Sequence, residues 1–239
     1  MDFRTAKGVS VPAVTAEQMR AVDRVAMEDF GLGILQMMEN AGRNLAGNVL
    51  EMLGGVGGRV TVLAGGGGNG GGGLCCARHL HNRGVTVQVV LDRDPGRLTG
   101  AAGVQWEILQ AAGLGLVTGK DVDGAIREAQ IVVDALVGYS LRGAPRGRAA
   151  ELIDLTNRHA ERVLSLDIPS GVDATTGATA GLSVRPERTL TLTLPKSGLE
   201  NGPGELFLAD IGIPPEVYHQ LALVYEPPFQ EGYWIRLTR

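Results

Sequence analysis

The sequence predicts an α/β fold in which a parallel sheet carries helices on both faces. Short apolar segments rich in β-branched residues alternate along the chain with longer segments of helical periodicity, as in repeated strand–helix–strand units. The apolar segments lack strict alternation of polar and apolar residues, which indicates strands that are covered on both faces. The third observation is a cluster of glycines between one such strand and the helix after it, a typical place for a ligand.

Two helices are expected before the first strand of the sheet. Residues 15–30 begin with Thr15 and carry Gln18 three positions later, which is a capping-box pattern. Residues 34–53 form the second expected helix, which two consecutive glycines end.

The rest of the chain alternates between the two kinds of element. Strands are expected at residues 59–65, 85–92, 131–138, 188–195 and 204–212, and residues 162–171 are expected to form a strand followed by a turn. Helices are expected at residues 74–84, 101–112, 121–129 and 148–160. Because no internal repeat or long linker divides these elements, we expect a single domain over residues 1–239, with residues 1–14 and 215–239 as terminal extensions.

Charge and hydropathy exclude several classes of protein. The net charge is -4, so no basic surface for nucleic acid is expected. No apolar run approaches the ~20 residues of a membrane span, and the first residues lack the apolar core of a secretory signal. Cys75 and Cys76 are adjacent, which makes a mutual disulfide geometrically poor. We expect a cytoplasmic protein that uses both cysteines as small core residues.

Glycine is over-represented, and its excess is local. The chain has 36 glycines, and between Gly65 and Gly73 only Asn69 is another residue. Glycine lets the backbone approach a ligand closely, and the N–H groups of a helix start favour an anion. We therefore interpret the segment as a ligand-binding loop rather than a floppy turn. It is not a Walker loop, because no Lys-Ser/Thr pair follows.

Two aspartates lie at the ends of apolar strands. Asp134 within IVVDALVG costs several kcal/mol to bury unless it is paired, protonated or bound to a cation; capping of a neighbouring loop is the structural alternative. Asp167 is followed by a rigid turn and is a candidate general acid or base. If Asn69, Asp134 and Ser170 converge at the carboxyl edge of the sheet, their oxygens suit a monovalent or hard divalent cation.

Six segments of the chain occur in an order typical of one known family. They are MMENAG at 37–42, the glycine segment with the helix CARHL after it, IVVDALVG at 131–138, LDIPSGVDATTG at 166–177, TLTLTLPKSGL at 189–199 and ADIGIP at 209–214. Together they resemble the YjeF N-terminal domain family, the NAD(P)H-hydrate epimerases. The resemblance implies a Rossmann-like three-layer α/β/α fold with a mostly parallel central sheet and N-terminal helices, commonly in a homodimer.

The resemblance also implies an activity. Family members are isomerases that interconvert the R and S forms of hydrated NADH and NADPH (NADHX and NADPHX), which carry a hydroxyl on the reduced nicotinamide ring. These nucleotides are the substrate rather than a cofactor. A partner dehydratase then restores the S form with a nucleotide triphosphate. Because this chain is too short to contain that enzyme, we expect a separate dehydratase to act downstream.

The resemblance implies roles for particular residues. Asp167 corresponds to the aspartate that contacts the substrate and acts as acid or base. Asn69, Asp134 and Ser170 correspond to the ligands of a potassium ion (K+). The implied substrate-binding residues are Gly68, Asn69, Gly70, Gly71, Gly72, Gly138, Tyr139, Ser140, Leu141, Arg142, Gly143, Ala144 and Asp167.

The glycine segment departs from the family at two positions. The family has Asn-Asn-Gly-Gly-Asp-Gly where this chain has Gly-Asn-Gly-Gly-Gly-Gly at 68–73. The missing amide and carboxylate are polar contacts worth about 1–3 kcal/mol each when buried. Two alternatives therefore stay open: a repurposed enzyme that isomerises or cyclises a different biosynthetic substrate in the same pocket, and a non-catalytic nucleotide-binding scaffold.

Overall fold

The computed structural model of the protein describes residues 2–229 and 232–238. Within them the chain forms the strands β1 Asp2–Thr5, β2 Ser10–Pro12, β3 Arg59–Ala64, β4 Thr86–Leu91, β5 Ile131–Ala135, β6 Val163–Leu166, β7 Arg188–Leu192, β8 Glu205–Ala209 and β9 Trp234–Thr238. The helices are α1 Ala16–Glu28, α2 Ile34–Leu53, α3 Gly68–His81, α4 Gly100–Ala111, α5 Asp121–Arg127, α6 Gly147–His159 and α7 Pro215–Gln220.

The strands form one sheet in the order β2-β1-β9-β8-β7-β6-β5-β3-β4. The six strands from β8 to β4 are parallel, and β9, β1 and β2 continue the sheet antiparallel at the β8 edge. The strand order reverses at β3, because β4 lies on one side of it and β5 on the other. At such a reversal the connections diverge and open a crevice at the carboxyl ends of the strands.

Helices cover both faces of this sheet, which confirms the expected three-layer α/β/α architecture. Apolar side chains of α2, α3 and α4 pack with alternate residues of the central strands in one cluster. On the opposite face, α5 and α6 pack over β3, β4, β5 and β6. On this same opposite face, α1 and α7 pack over β8. The central strands are therefore buried on both sides, as their continuous apolar sequences indicate.

The two N-terminal helices form as expected. The Thr15 hydroxyl accepts a hydrogen bond from the Gln18 amide at 3.2 Å, and the Gln18 side chain accepts one from the Thr15 amide at 2.8 Å. This reciprocal capping box starts α1. Helix α2 ends at Gly54, whose φ of 73° lies in the left-handed region that glycine adopts most easily.

The glycine segment is not a loop throughout, which corrects the expectation. Helix α3 begins at Gly68 rather than at residue 74, so most of the glycines lie in its first turns. A Cβ on Gly70 would lie 1.7 Å from the Gly65 carbonyl oxygen, and one on Gly73 would lie 2.5 Å from the Ala135 Cβ. Close packing of α3 against the ends of β3 and β5 therefore requires glycine, independently of any ligand.

The two segments expected as terminal extensions add strands to the sheet. The N-terminal segment supplies β1 and β2, and the C-terminal one supplies β9. The Trp234 ring packs so closely on α2 that a Cβ on Gly47 would lie 2.7 Å from it. Residues 1, 230, 231 and 239 of these segments lie outside the described residues. The single domain over residues 1–239 stays a prediction.

Among the described residues, none of the helices combines the length and the apolar character that crossing a membrane requires.

Candidate active site

A cavity of about 310 Å³ opens where β3, β5, β6 and β7 end. Polar side chains line one part of it, at the carboxyl edge of the sheet and the start of α3, and include Asn69, Asp167 and Lys196. Its helix-side wall is largely apolar and includes Met19 of α1 and Met37 of α2. The cavity therefore offers an apolar surface for a ring and a small set of polar groups that can orient it, as small-molecule sites do.

Asp167 and Lys196 form a buried ion pair in this cavity. Asp167 is 3% exposed and Lys196 is 1% exposed. The Lys196 ammonium donates to Oδ1 of Asp167 and, at 2.8 Å, to the carbonyl oxygen of Leu192. The backbone amide of Tyr139 donates to Oδ2 of Asp167 at 3.2 Å. These contacts fix the orientation of the Asp167 carboxylate against the cavity.

The backbone at this wall is held in an unusual conformation. Asp167 and Thr193 have φ values of 67° and 69°, and Ala222 is the other non-glycine residue with a positive φ in the described ranges. Such conformations cost about 1–3 kcal/mol each and persist where the surrounding structure enforces them, often at functional sites. Asp167 and Thr193 both line the cavity.

We expect Lys196→Met to lower the free energy of unfolding by about 3–5 kcal/mol, because the buried Asp167 carboxylate would lose its charged partner. Chemical denaturation measures this change. Lys120→Met is the matched control, since Lys120 is exposed, and we expect a change within about 0.5 kcal/mol there. Equal stability of the two variants would contradict the buried pair.

A second carboxylate, Asp23 of α1, faces the same cavity. The Tyr139 hydroxyl donates to Oδ2 of Asp23, while the backbone amide of the same tyrosine donates to Asp167. Burial raises the pKa of Asp23 above its usual value, and the Tyr139 hydrogen bond and the Lys196 charge offset this only in part. The Asp23 carboxyl therefore keeps its proton to a higher pH than an ordinary aspartate.

Asp134 lies behind the cavity and is completely buried. It accepts hydrogen bonds from the Ser165 hydroxyl at 2.8 Å, the Ser170 amide at 2.9 Å, the Ser170 hydroxyl at 2.6 Å and the Leu136 amide at 3.3 Å. Burial raises the pKa of this carboxyl. Within the described ranges no cationic side chain pairs with it. A bound cation would supply the missing counter-charge.

The atoms around Asp134 have the chemistry that a hard cation requires. The Ser170 hydroxyl oxygen lies 2.6 Å from Oδ1 of Asp134 and 3.3 Å from the carbonyl oxygen of Val137. Gly138 follows Val137 in the chain, and Asn69 lies beside it. A Cβ added to Gly138 would lie 3.1 Å from the Asn69 Oδ1. The Asn69 Nδ2 is buried with no hydrogen-bond partner among the described residues. These residues fit a cation that takes oxygen ligands.

The cavity brings together a subset of the substrate-binding residues that the sequence suggested, namely Gly68, Asn69, Gly72, Gly138, Tyr139, Ser140 and Asp167. Gly70 and Gly71 lie buried within α3 instead, and residues 141–144 lie in the connection to α6, outside the lining. Substrate contact by any of these residues stays a prediction.

Sequence reasoning missed Asp23 and Lys196. Nothing in the helical pattern of residues 15–30 distinguishes Asp23 from a solvated charge. Lys196 lies in the TLTLTLPKSGL segment that carries the family resemblance, and it is one of only three lysines in the chain. A charged residue directly after an apolar strand is a signal of the kind that identified Asp167.

The two cysteines are free and buried, in agreement with the expectation of small core residues. Burial raises the pKa of the Cys75 thiol to about 12, so the thiolate is scarce at neutral pH. Cys75 lies with Glu39 and His79 in a group whose ligand atoms are within 4.8 Å of one another. Arg78 donates to both Glu39 and Cys75, so these groups are already satisfied within the chain.

Comparison with known proteins identifies a family for most of this chain. The family model described as YjeF-related protein N-terminus matches residues 34–198. Asp167, Lys196 and the whole of α3 fall within this range, whereas α1 with Asp23 precedes it.

Named relatives extend over nearly the whole chain. An NAD(P)H-hydrate epimerase of Dehalogenimonas lykanthroporepellens is 50% identical over 100% of this chain and 98% of its own length. One of Rhodopirellula baltica is 35% identical over 93% of both chains. A bifunctional NAD(P)H-hydrate repair enzyme Nnr of Hyperthermus butylicus is 38% identical over 94% of this chain but only 42% of its own length.

A solved structure shares the fold. The crystal structure of yeast ynu0, YNL200c, superposes with a TM-score of 0.80 over 95% of this chain and 100% of the yeast chain. The sequence identity is 23%, so this similarity concerns the architecture alone.

Proposed function

The chain belongs to the YjeF-related N-terminal family, and from this membership we propose that it is an NAD(P)H-hydrate epimerase. The observation that carries the proposal is the 50% identity over the full chain to a relative with that name. Its substrates are the R and S forms of hydrated NADH and NADPH. The cavity with its buried Asp167 supports the same conclusion, because epimerisation needs a positioned ring and acid or base assistance.

In the proposed reaction the hydroxyl leaves one face of the reduced nicotinamide ring and a hydroxyl returns on the other. The ring nitrogen stabilises the cation formed between these steps by sharing its electron pair with the neighbouring carbon. Asp167 transfers a proton to or from the oxygen that leaves or enters. Its contacts with Lys196 and the Tyr139 amide hold its oxygens in position for this transfer.

The start of α3 supports binding of the charged part of the nucleotide. Gly68 and Asn69 line the cavity in the first turn of this helix. The backbone N–H groups of a helix start favour anions such as phosphates, and the absence of side chains on neighbouring glycines permits a close approach. The apolar wall that Met19, Met37 and Met38 provide suits the nicotinamide ring.

We further propose that Asn69, Asp134 and Ser170 hold a potassium ion, with the Val137 carbonyl as an additional oxygen. Asp134 lacks a cationic partner among the described residues, and the Ser170 hydroxyl oxygen lies 2.6 Å from Oδ1 of Asp134 and 3.3 Å from the carbonyl oxygen of Val137. The ion would supply positive charge and hold the segment 137–138 against Asn69. Because Tyr139 follows that segment and bonds Asp167, the ion would act on the position of the catalytic carboxylate.

Potassium chloride is expected to raise the midpoint of thermal unfolding of the protein relative to choline chloride at equal ionic strength. Binding to the folded state alone stabilises it by mass action. The Ser170→Ala variant, which loses one ligand, is expected to show a weaker response to potassium. A potassium effect that is absent, or equal in the two proteins, would contradict this site.

A coupled assay tests the proposed activity. A dehydratase that accepts only the S form leaves the R form of hydrated NADH behind when it acts on a mixture. Without an epimerase, the R form disappears only at the slow spontaneous rate. Addition of the purified protein is expected to let the dehydratase consume the whole mixture much faster, with NADH appearing in the amount of both epimers. An unchanged rate of this slow phase with folded protein would reject the epimerase activity.

We propose that the protein acts as a homodimer in the cytoplasm, upstream of such a dehydratase. One relative is named a bifunctional NAD(P)H-hydrate repair enzyme, and this chain matches only 42% of its length, which supports a link to a second enzyme. Exposed apolar side chains cluster where α1 meets α2, at Met27, Phe30, Ile34 and Leu35, and such patches are typical of interfaces. The two free cysteines support a reducing compartment. Light scattering tests the dimer.

A further inference from the structure

We propose that Asp23 is a second catalytic residue, which exchanges a proton with the ring hydroxyl on one face of the nicotinamide while Asp167 serves the other face. This inference rests on the proposed function and adds to it a residue of α1 that lies outside the family match at 34–198. Two proton-transferring groups are what the reaction requires, because the oxygen leaves one face of a flat ring and enters at the opposite face.

The geometry places the two carboxyls at a fixed separation. Tyr139 bonds both of them, with its hydroxyl on Asp23 and its backbone amide on Asp167. The carboxyls therefore bind opposite ends of one tyrosine residue and reach the cavity from different elements, the helix α1 and the end of β6. Both line the same cavity of about 310 Å³, which is within the usual range of small-molecule sites.

The Asp23 carboxyl has an oxygen available for the reaction. Its Oδ2 accepts the Tyr139 hydrogen bond, and its Oδ1 takes part in no hydrogen bond or ion pair among the described residues. The contact with Tyr139 fixes the side chain without using the oxygen that would face the substrate. A carboxyl that is oriented through one oxygen and unpartnered at the other is suited to transfer a proton to a bound ligand.

The environments of the two carboxyls differ. Asp167 forms an ion pair with the buried Lys196 ammonium. Asp23 has no such partner, and burial raises its pKa. Two carboxyls in one site whose surroundings differ in this way can act as an acid and a base at the same pH. The titratable and charged groups around Asp23 are Tyr139, Lys196, Asp167, Tyr218 of α7 and Arg20 one turn earlier on α1.

The proton balance closes without a further reactant. Neutral Asp23 donates its proton to the ring hydroxyl, the carbon–oxygen bond breaks, and water departs as the ring nitrogen forms a double bond to that carbon. A water molecule on the opposite face then forms a new bond to the carbon and gives its proton to Asp167. Solvent returns a proton from Asp167 to Asp23. In the reverse reaction the two residues exchange roles.

Replacement of Asp23 by asparagine tests the proposal. Asparagine keeps the size of the side chain and an oxygen that can accept the Tyr139 hydrogen bond, but it cannot donate an acidic proton. We expect kcat/KM to fall about 100- to 10,000-fold, equally in both directions, because the equilibrium between epimers does not change. Glu28→Gln is the matched control, since it neutralises an exposed carboxylate of the same helix, and it is expected to leave kcat/KM unchanged.

The pH profile distinguishes a proton donor from a structural residue. The wild-type rate is expected to fall as pH rises through the raised pKa of Asp23, because the deprotonated carboxyl cannot donate. The residual rate of Asp23→Asn is expected to lack this fall. Tyr139→Phe removes a hydrogen bond that lowers the pKa of Asp23, so the fall is expected to move to higher pH in that variant.

Three results would overturn the inference. They are an unchanged rate of folded Asp23→Asn, a reduced rate that keeps the wild-type alkaline fall, and an alkaline fall that does not move in Tyr139→Phe. None of these can be mistaken for failure of the epimerase function, because that failure would leave the wild-type protein itself inactive in the same assay.

Discussion

Replacement of Asp167 by alanine is expected to reduce the rate of epimerisation by about 1,000-fold or more, to a level near the spontaneous rate. Removal of a positioned acid or base costs about 100- to 10,000-fold, and Asp167 is also the most firmly held carboxylate of the cavity. Separation of the two epimers by chromatography measures the rate directly. A variant that folds and retains near wild-type activity would exclude Asp167 from the chemistry.

The same substitution leaves the buried Lys196 without a partner, and this must be separated from the catalytic effect. Loss of one member of a buried ion pair costs about 3–5 kcal/mol of stability. In the double variant Asp167→Ala with Lys196→Met no unpaired charge remains, so we expect much of the stability to return. Activity is expected to stay at the spontaneous rate. Return of activity with stability would show that Asp167 serves the fold alone.

Replacement of Gly70 by alanine is expected to destabilise the protein by at least about 3 kcal/mol, the upper end of ordinary overpacking. The new Cβ would lie 1.7 Å from the Gly65 carbonyl oxygen. Because the obstacle is backbone, α3 can accept the methyl group only by moving away from the end of β3. The free energy of unfolding in urea measures the loss, and failure to fold is its extreme form.

Gly68→Ala provides a matched control at the start of the same helix. A Cβ on Gly68 meets nothing within 4 Å, and alanine favours a helix over glycine by about 0.5–1 kcal/mol. We therefore expect unchanged or slightly higher stability. If both variants lost several kcal/mol, the glycines would be required for the backbone conformation of this segment rather than for packing.

The departure of the glycine segment from the family pattern has a different meaning at its two positions. At Gly68 there is open space, so the missing asparagine leaves room beside the cavity. At Gly72 a Cβ would lie 2.8 Å from the Leu166 side chain, so Leu166 fills the volume that an aspartate would enter. The apolar Leu166 side chain therefore occupies the place of the lost carboxylate. The carboxylates that line the cavity are those of Asp23 and Asp167.

Local sequence signals were sufficient for the central part of the fold. The capping box at Thr15 and the continuous apolar strands specify their elements through interactions between near neighbours. The start of α3 was misplaced because glycine disfavours helix locally, by roughly 1 kcal/mol relative to alanine. Tertiary packing against Gly65 and Ala135 overrides that preference. Strand β9 was missed because its burial depends on distant partners in β8 and β1.

The residues of the candidate site also fall into two groups, those that a local sequence signal identifies and those that depend on distant contacts. Asp134 and Asp167 were identifiable because a carboxylate within or directly after an apolar strand needs an explanation. Lys196 and Asp23 were not, because their roles depend on contacts between distant parts of the chain. Tyr139 joins Asp23 to Asp167 across 116 and 28 positions of sequence. No periodicity or spacing along the chain encodes such a contact.

The most direct test of the epimerase activity is the conversion of the pure R forms of hydrated NADH and hydrated NADPH by the purified wild-type protein, followed by chromatographic separation of the epimers. We expect the S form to appear far faster than without protein, and Asp167→Ala to remove this acceleration. Folded wild-type protein that leaves both R forms to epimerise at the spontaneous rate would contradict the epimerase activity, and the repurposed-enzyme alternative would then take its place.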